Sequence, residues 1–273
     1  MEAVQQYNDL RPKVLIIPIL LILFLVVFLF MHQSLSTMGY INVQKDFFYK
    51  LNQFLSRYPK LMMNLTQLGD AFIVLSMLSF MMIKYPKVWS ALMSASLISY
   101  FVTSILKPLF HVPRPAAILD DHFFHVIGNR LTGINALPSG HSITIFTTIT
   151  VLIVSFVSLQ SPMKMLLGFG LVVLGFSVMA SRVGMGAHFP LDTLAGAIIG
   201  IFCGLAGLLF NQKYKLWYWM SKRRNYPLVI ALLTCCLIAL IIKITHLSLP
   251  VFYIALGCLV FTICISTIMY VKN

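Results

Sequence analysis

The sequence predicts an all-α fold: a polytopic membrane helix bundle with a six-helix core and two further C-terminal spans. Three observations carry that expectation. Hydrophobic residues make up 59% of the chain and charged ones 10%, against roughly 45–50% and about 25% in a soluble domain. The apolar residues gather in blocks close to the length that crosses a bilayer, about 20 residues. Lysine and arginine outnumber aspartate and glutamate by 20 to 7, a net charge of +13, and most of that charge lies between the blocks. A cytosolic enzyme of this size has no way to hide so much apolar surface. Positive charge placed at the ends of apolar helices argues for membrane topology and an anionic ligand, and against nucleic acid.

Eight spans are expected in order: Val14–Met31, Asn64–Ile83, Val88–Leu106, Ser142–Leu159, Met163–Ala180, Leu191–Phe210, Pro227–Lys243 and Leu249–Tyr270. The first follows Arg11 and Lys13 but exceeds a signal-peptide core, and no small-x-small cleavage site follows it, so a retained span is expected. Lys243, near the end of the seventh, is expected to snorkel outward. Between the first two spans, Phe47, Leu51, Phe54, Leu55 and Tyr58 recur at helical spacing among Lys45, Lys50, Arg57 and Lys60. That pattern predicts an amphipathic helix over Ile41–Lys60, lying in the membrane interface. Three parts follow: residues 1–63 with the first span and interfacial helix, a core over 64–210, and 211–273 with a basic loop and two added spans. Trp217, Tyr218 and Trp219 beside Lys222, Arg223 and Arg224 mark an inner-face anchor, which puts both termini in the cytoplasm. The five cysteines all fall in apolar stretches without zinc-ligand spacing and read as small buried hydrophobes.

Three short segments carry chemistry, and the topology puts all of them on the outer face. In the first, Lys107 and Arg114 stand seven apart, with prolines at 108, 113 and 115 stiffening the backbone. Arginine grips two phosphate oxygens at once and lysine adds a point charge. The second, Pro138-Ser139-Gly140-His141, lies just before the fourth span. A helix start exposes free N–H groups and suits an anion, with Ser139 as N-cap and Gly140 allowing close approach. The third runs from Ser181 and Arg182 to His188 and Asp192. One helical turn joins these last two, so that the carboxylate orients an imidazole whose other nitrogen is free to attack.

The pattern resembles the type 2 phosphatidic acid phosphatase family, which shares its site architecture with vanadium-dependent haloperoxidases. It has lysine, six residues, arginine-proline; then proline-serine-glycine-histidine; then serine-arginine, five residues, histidine, three residues, aspartate. Every specified position is matched, by Lys107, Arg114 and Pro115, by Pro138 to His141, and by Ser181, Arg182, His188 and Asp192. The two C-terminal spans exceed the family's usual six-helix core. The resemblance implies that His188 is the nucleophile, supported by Asp192, and that His141 protonates the leaving oxygen. Lys107, Arg114, Arg182, Ser139 and the Gly140 N–H then hold the phosphate, with no metal and no cofactor.

Asp120, Asp121, His122 and His125 look like metal ligands but fall in the loop between the first two segments, where a solvated or headgroup-contacting loop is expected. Asp70 lies about 9 Å inside the outer end of the second span at ~1.5 Å per residue, within reach of the site as a substrate contact or a helix-packing bond. The expected activity is removal of phosphate from an anionic lipid, as phosphomonoester or pyrophosphate, at the outer leaflet. The compact organisation points to a bacterial inner membrane, where the candidates are undecaprenyl pyrophosphate, phosphatidylglycerol phosphate, phosphatidic acid and lipid A. Two alternatives use the same residues: transfer of the phosphate to a lipid acceptor, and an anion transporter. The spans carry too little polar character for the second, and haloperoxidases are soluble.

Overall fold

The computed structural model describes residues 10–158 and 160–272, leaving out the side chain of Asp121. The N-terminal residues 1–9, Leu159 at the end of the fourth expected span, and Asn273 lie outside this description. The described residues form twelve α-helices, four short 3-10 helices and no strand. The α-helices are α1 (Ile16–Met31), α2 (Thr37–Leu55), α3 (Pro59–Gln67), α4 (Ala71–Met77), α5 (Met81–Lys84), α6 (Pro86–Phe110), α7 (Pro115–Ile118), α8 (Gly140–Phe156), α9 (Pro162–Gly184), α10 (Pro190–Tyr214), α11 (Tyr226–His246) and α12 (Pro250–Val271). Proline opens α3, α6, α7, α9, α10 and α12, where its missing N–H costs nothing and its fixed φ is already helical.

Six helical stretches are long and apolar enough to cross a membrane, and α8 is a shorter apolar helix of the same bundle. Large apolar side chains such as Phe24, Phe169 and Phe261 point outward and are exposed, the arrangement of a lipid-facing surface. At the centre, α10 lies against α8 and α6. Its glycines allow the approach: a Cβ on Gly196 would fall 2.6 Å from the Ser139 carbonyl oxygen, and one on Gly200 2.6 Å from that of Ile143.

The second expected span is not one helix. It is divided into α3, α4 and α5, with a break at Gly69–Asp70 and another at Leu78–Phe80. Asp70 N-caps α4 by accepting the Phe72 N–H at 2.9 Å. At the second break, the Ser79 hydroxyl meets Thr262 Oγ1 of α12 at 2.8 Å. Both breaks are therefore satisfied by protein groups, as backbone at membrane depth requires. The C-terminal pair α11 and α12 packs on this broken element, with Ile73, Trp89, Leu233, Leu240, Phe252 and Leu259 in one buried cluster.

Two other expectations are corrected. Only Cys203 is buried; Cys235 and Cys264 are exposed because they sit on outward faces of α11 and α12. Lys243 does not snorkel away but turns inward to Asp70, 2.7 Å from its carboxylate. The expected interfacial helix forms as α2, ending at Leu55, and a second face through Tyr40, Ile41, Gln44, Phe48 and Asn52 is buried against the protein. Phe47, Phe54 and Tyr58 from the apolar pattern are exposed.

Candidate active site

The three motif segments converge at one end of the bundle, at the C-terminal ends of α6 and α9 and the N-terminal ends of α8 and α10. A small apolar core beneath them takes residues from each: Val112 from the first, Ala136 ahead of the second, Val183 and Phe189 from the third. Phe48 of α2 fills its centre, fully buried and edge-on to Phe124 and Phe189 with ring centroids 5.4 and 5.2 Å away.

Lys107 occupies the last turn of α6. A Cβ on Gly140 would lie 3.6 Å from its ammonium nitrogen, so glycine at 140 leaves the cation and the start of α8 side by side. Arg114 is 8% exposed and is held by the Asn135 side-chain oxygen at 3.0 Å and the Ala187 carbonyl at 3.2 Å. Arg182 is buried, with Nη1 donating to Thr66 Oγ1 at 2.6 Å. Pro138 follows a cis peptide, and the Ser139 N–H donates to the Asp192 carbonyl at 3.0 Å. Ser139 takes the N-cap position of α8, but its hydroxyl makes no capping bond.

His188 stands two residues ahead of α10 rather than on it, since Phe189 is the N-cap and Pro190 the first helical residue. Gly186, at φ +69°, turns the chain out of α9 toward it, at a point where a Cβ would come 2.7 Å from the His125 carbonyl oxygen. His188 Nδ1 lies 3.5 Å from Asp192 Oδ2, longer than a hydrogen bond. The reason is competition: Oδ2 accepts the Phe189 N–H at 2.8 Å, and Oδ1 accepts the Tyr40 hydroxyl at 2.7 Å. Burial holds the His188 imidazole well below its ordinary pKa, reinforced by Arg182, Arg114, His141 and Lys107. The ring is therefore neutral. Burial first, and Asp192 second, push the Tyr40 phenol well above its usual value and keep it a donor.

Three buried polar atoms here have no protein partner: Ser139 Oγ, Arg182 Nε and His188 Nδ1. Such atoms are costly to leave unpaired; Ser139 Oγ and Arg182 Nε are donors suited to an oxyanion, while His188 Nδ1 faces Asp192. The buried side holds His188, Asp192, Ser139, Arg114 and Arg182; Lys107, Gly140 and His141 are half-exposed and form the mouth.

Sequence reasoning missed Tyr40, Gln44, Asn52 and Thr66. Gln44 accepts the Leu191 N–H at 2.8 Å. Asn52 donates to the carbonyls of His125 and Val183, both at 3.0 Å, and accepts the His125 N–H at 2.8 Å. The available signal was polar residues at helical spacing on α2, which place an uncharged polar stripe beside the apolar one. Of the loop residues that look like metal ligands, Asp120 accepts the His122 N–H at 3.0 Å and His125 is tied through its backbone to Asn52. Asp70 spends one oxygen on the α4 cap and the other on Lys243. Beside the site, an apolar cavity of about 550 Å³ is lined by Phe28, Phe47, Phe176, Met179, Leu191 and Leu194.

Comparison with known proteins agrees with this geometry. Residues 88–216, from the start of α6 to just past the end of α10, match the PAP2 superfamily. Residues 88–216, which carry all three motifs, form a PAP2-like core. No curated protein gives a significant match. The crystal structure of Aquifex aeolicus LpxE is similar at 27% identity and a TM-score of 0.52, over 61% of this chain and 95% of that one. The PAP2-like core and the apolar spans support an integral membrane lipid phosphatase.

Proposed function

We propose that the protein removes a terminal phosphate from an anionic lipid at the outer leaflet through a phosphohistidine on His188, without a metal. The observation that carries the reading is the His188 imidazole, buried beside Asp192 where the three motifs meet, with burial and then Arg182, Arg114, His141 and Lys107 favouring its neutral form. A neutral ring nitrogen is nucleophilic where an imidazolium is not. Attack by Nε2 on phosphorus forms the P–N bond as the bond to the lipid oxygen breaks. His141, at the mouth, gives that oxygen its proton. The three cations and Ser139 compensate the charge on the equatorial oxygens, supplying by fixed charges what a metal supplies elsewhere. Asp192, anchored by Tyr40, supports the imidazole as it acquires charge. Water activated by His141 then cleaves the P–N bond and releases phosphate.

The half-exposed mouth and the apolar cavity beside α10 support a lipid substrate, with the headgroup at the cations and a chain among apolar side chains. Undecaprenyl pyrophosphate, phosphatidylglycerol phosphate, phosphatidic acid and lipid A all present such a phosphate, and a bacterial inner membrane with the site on its outer face fits each. Phosphate release from this panel by purified protein, with and without chelator and vanadate, tests the reading. Release that survives chelator, is blocked by vanadate and disappears in His188→Ala is expected. A requirement for added divalent metal, or wild-type turnover by His188→Ala, defeats it.

A further inference from the structure

Lys243 is a charged residue in the last turn of an otherwise apolar helix, α11, and its position serves no span. Its ammonium lies 2.7 Å from Asp70 Oδ2 and sits over the Phe252 ring, 5.2 Å from its centroid. Asp70 cannot follow a departing partner, because its other oxygen caps α4. The residue before it, Gly69, is pressed against the site: a Cβ there would come 2.7 Å from His141 Cβ. An unbroken contact path therefore runs from His141 through Gly69 and Asp70 to Lys243. Lys243 also acts electrostatically on His141, as Arg182, Lys107 and Arg114 do, and the contact path through Gly69 and Asp70 places it on the His141 side of the site. The pair is also reachable, with Lys243 33% and Asp70 29% exposed.

This placement has a chemical consequence that rests on the function proposed above. His141 serves the leaving oxygen, so a cation beside it faces the leaving group and not the transferred phosphoryl. A lipid monophosphate leaves as an uncharged alcohol. A lipid diphosphate leaves as a lipid monophosphate, which carries negative charge on non-bridging oxygens. We infer that Lys243, carried in by the C-terminal helix pair and held by Asp70, is a specificity residue that favours lipid diphosphates over lipid monophosphates. An ammonium has three N–H donors; one stays on Asp70 and the others meet the departing phosphate. In the reaction His188 Nε2 bonds to the terminal phosphorus as the bond from that phosphorus to the bridging oxygen breaks, so the bridging oxygen leaves with the lipid phosphate. The bridging oxygen keeps the electron pair and takes the His141 proton. Water then cleaves the P–N bond, giving lipid monophosphate and orthophosphate.

The test compares farnesyl diphosphate with farnesyl monophosphate, which share one chain, using the full-length protein in mixed micelles. Lys243→Gln is expected to lower the diphosphate-to-monophosphate ratio of kcat/KM by roughly tenfold, and Lys243→Arg to recover most of it. A purely structural clamp would lower both activities in parallel with the melting temperature and leave the ratio unchanged. That result, or a ratio unmoved in a stable Lys243→Gln protein, overturns the inference while leaving the proposed hydrolysis intact. Failure of hydrolysis itself shows separately, as no phosphate release by wild type or as full activity in His188→Ala, and overturns both.

Discussion

At the scale of single residues, the proposed chemistry depends on one histidine, His188, and on what keeps its neighbours in place. Burial and four positive or ionisable groups depress the His188 pKa, so the imidazole stays unprotonated as pH falls through the ordinary histidine range. The acid limb of kcat/KM assigned to His188 should lie below that range, and a pH–rate profile reads it. Stability has the matching sign. The unfolded histidine takes up its proton near its ordinary pKa while the folded one does not, so this group lowers stability as pH drops below that value. Tyr40 is the second residue-scale test. Tyr40→Phe removes the 2.7 Å bond to buried Asp192 and leaves Oδ1 without its donor, a loss of about 1–3 kcal/mol in stability. Activity should fall roughly tenfold through kcat rather than KM. An unchanged kcat would show that Asp192 does not need this support.

The elements show what the sequence can and cannot disclose. His141, His188, Asp192, Lys107, Arg114 and Arg182 were legible because a phosphate site demands particular chemistry at short spacings. Tyr40 and Asn52 were not, since their partners lie 152 and 131 residues away and no local pattern encodes such pairs. The break in the second span was hidden for the same reason. Hydropathy averages over Gly69 and Asp70, while the lysine that makes an acid tolerable there is 173 residues further on. On α2 the apolar pattern found the helix but not its second, protein-buried face, where Gln44 and Asn52 bond backbone. Asn52→Ala frees the His125 N–H and the carbonyls of His125, Val183 and Gly184, around the turn before His188. Thermal unfolding in detergent should show a loss of about 1–3 kcal/mol; no loss would mean α2 merely rests on the core.

Across the whole molecule, every charged or polar site group lies at one end of the bundle, and the basic aromatic segment around Trp217 to Arg224 is remote from it in sequence and topology. We propose from the positive-inside rule that this segment is cytoplasmic and the site lies outside. A membrane-impermeant thiol reagent on intact cells should label His122→Cys, whereas Lys222→Cys should react only after permeabilisation. The reverse pattern would invert the protein and place its substrate in the inner leaflet. The most direct measurement is a rapid quench with a lipid carrying labelled terminal phosphate, followed by separation of the denatured protein. A phosphoenzyme that is acid-labile and base-stable, present in wild type and missing from His188→Ala, is the expected result. Steady turnover with no label ever attached to the protein, or label that persists in His188→Ala, would contradict the account.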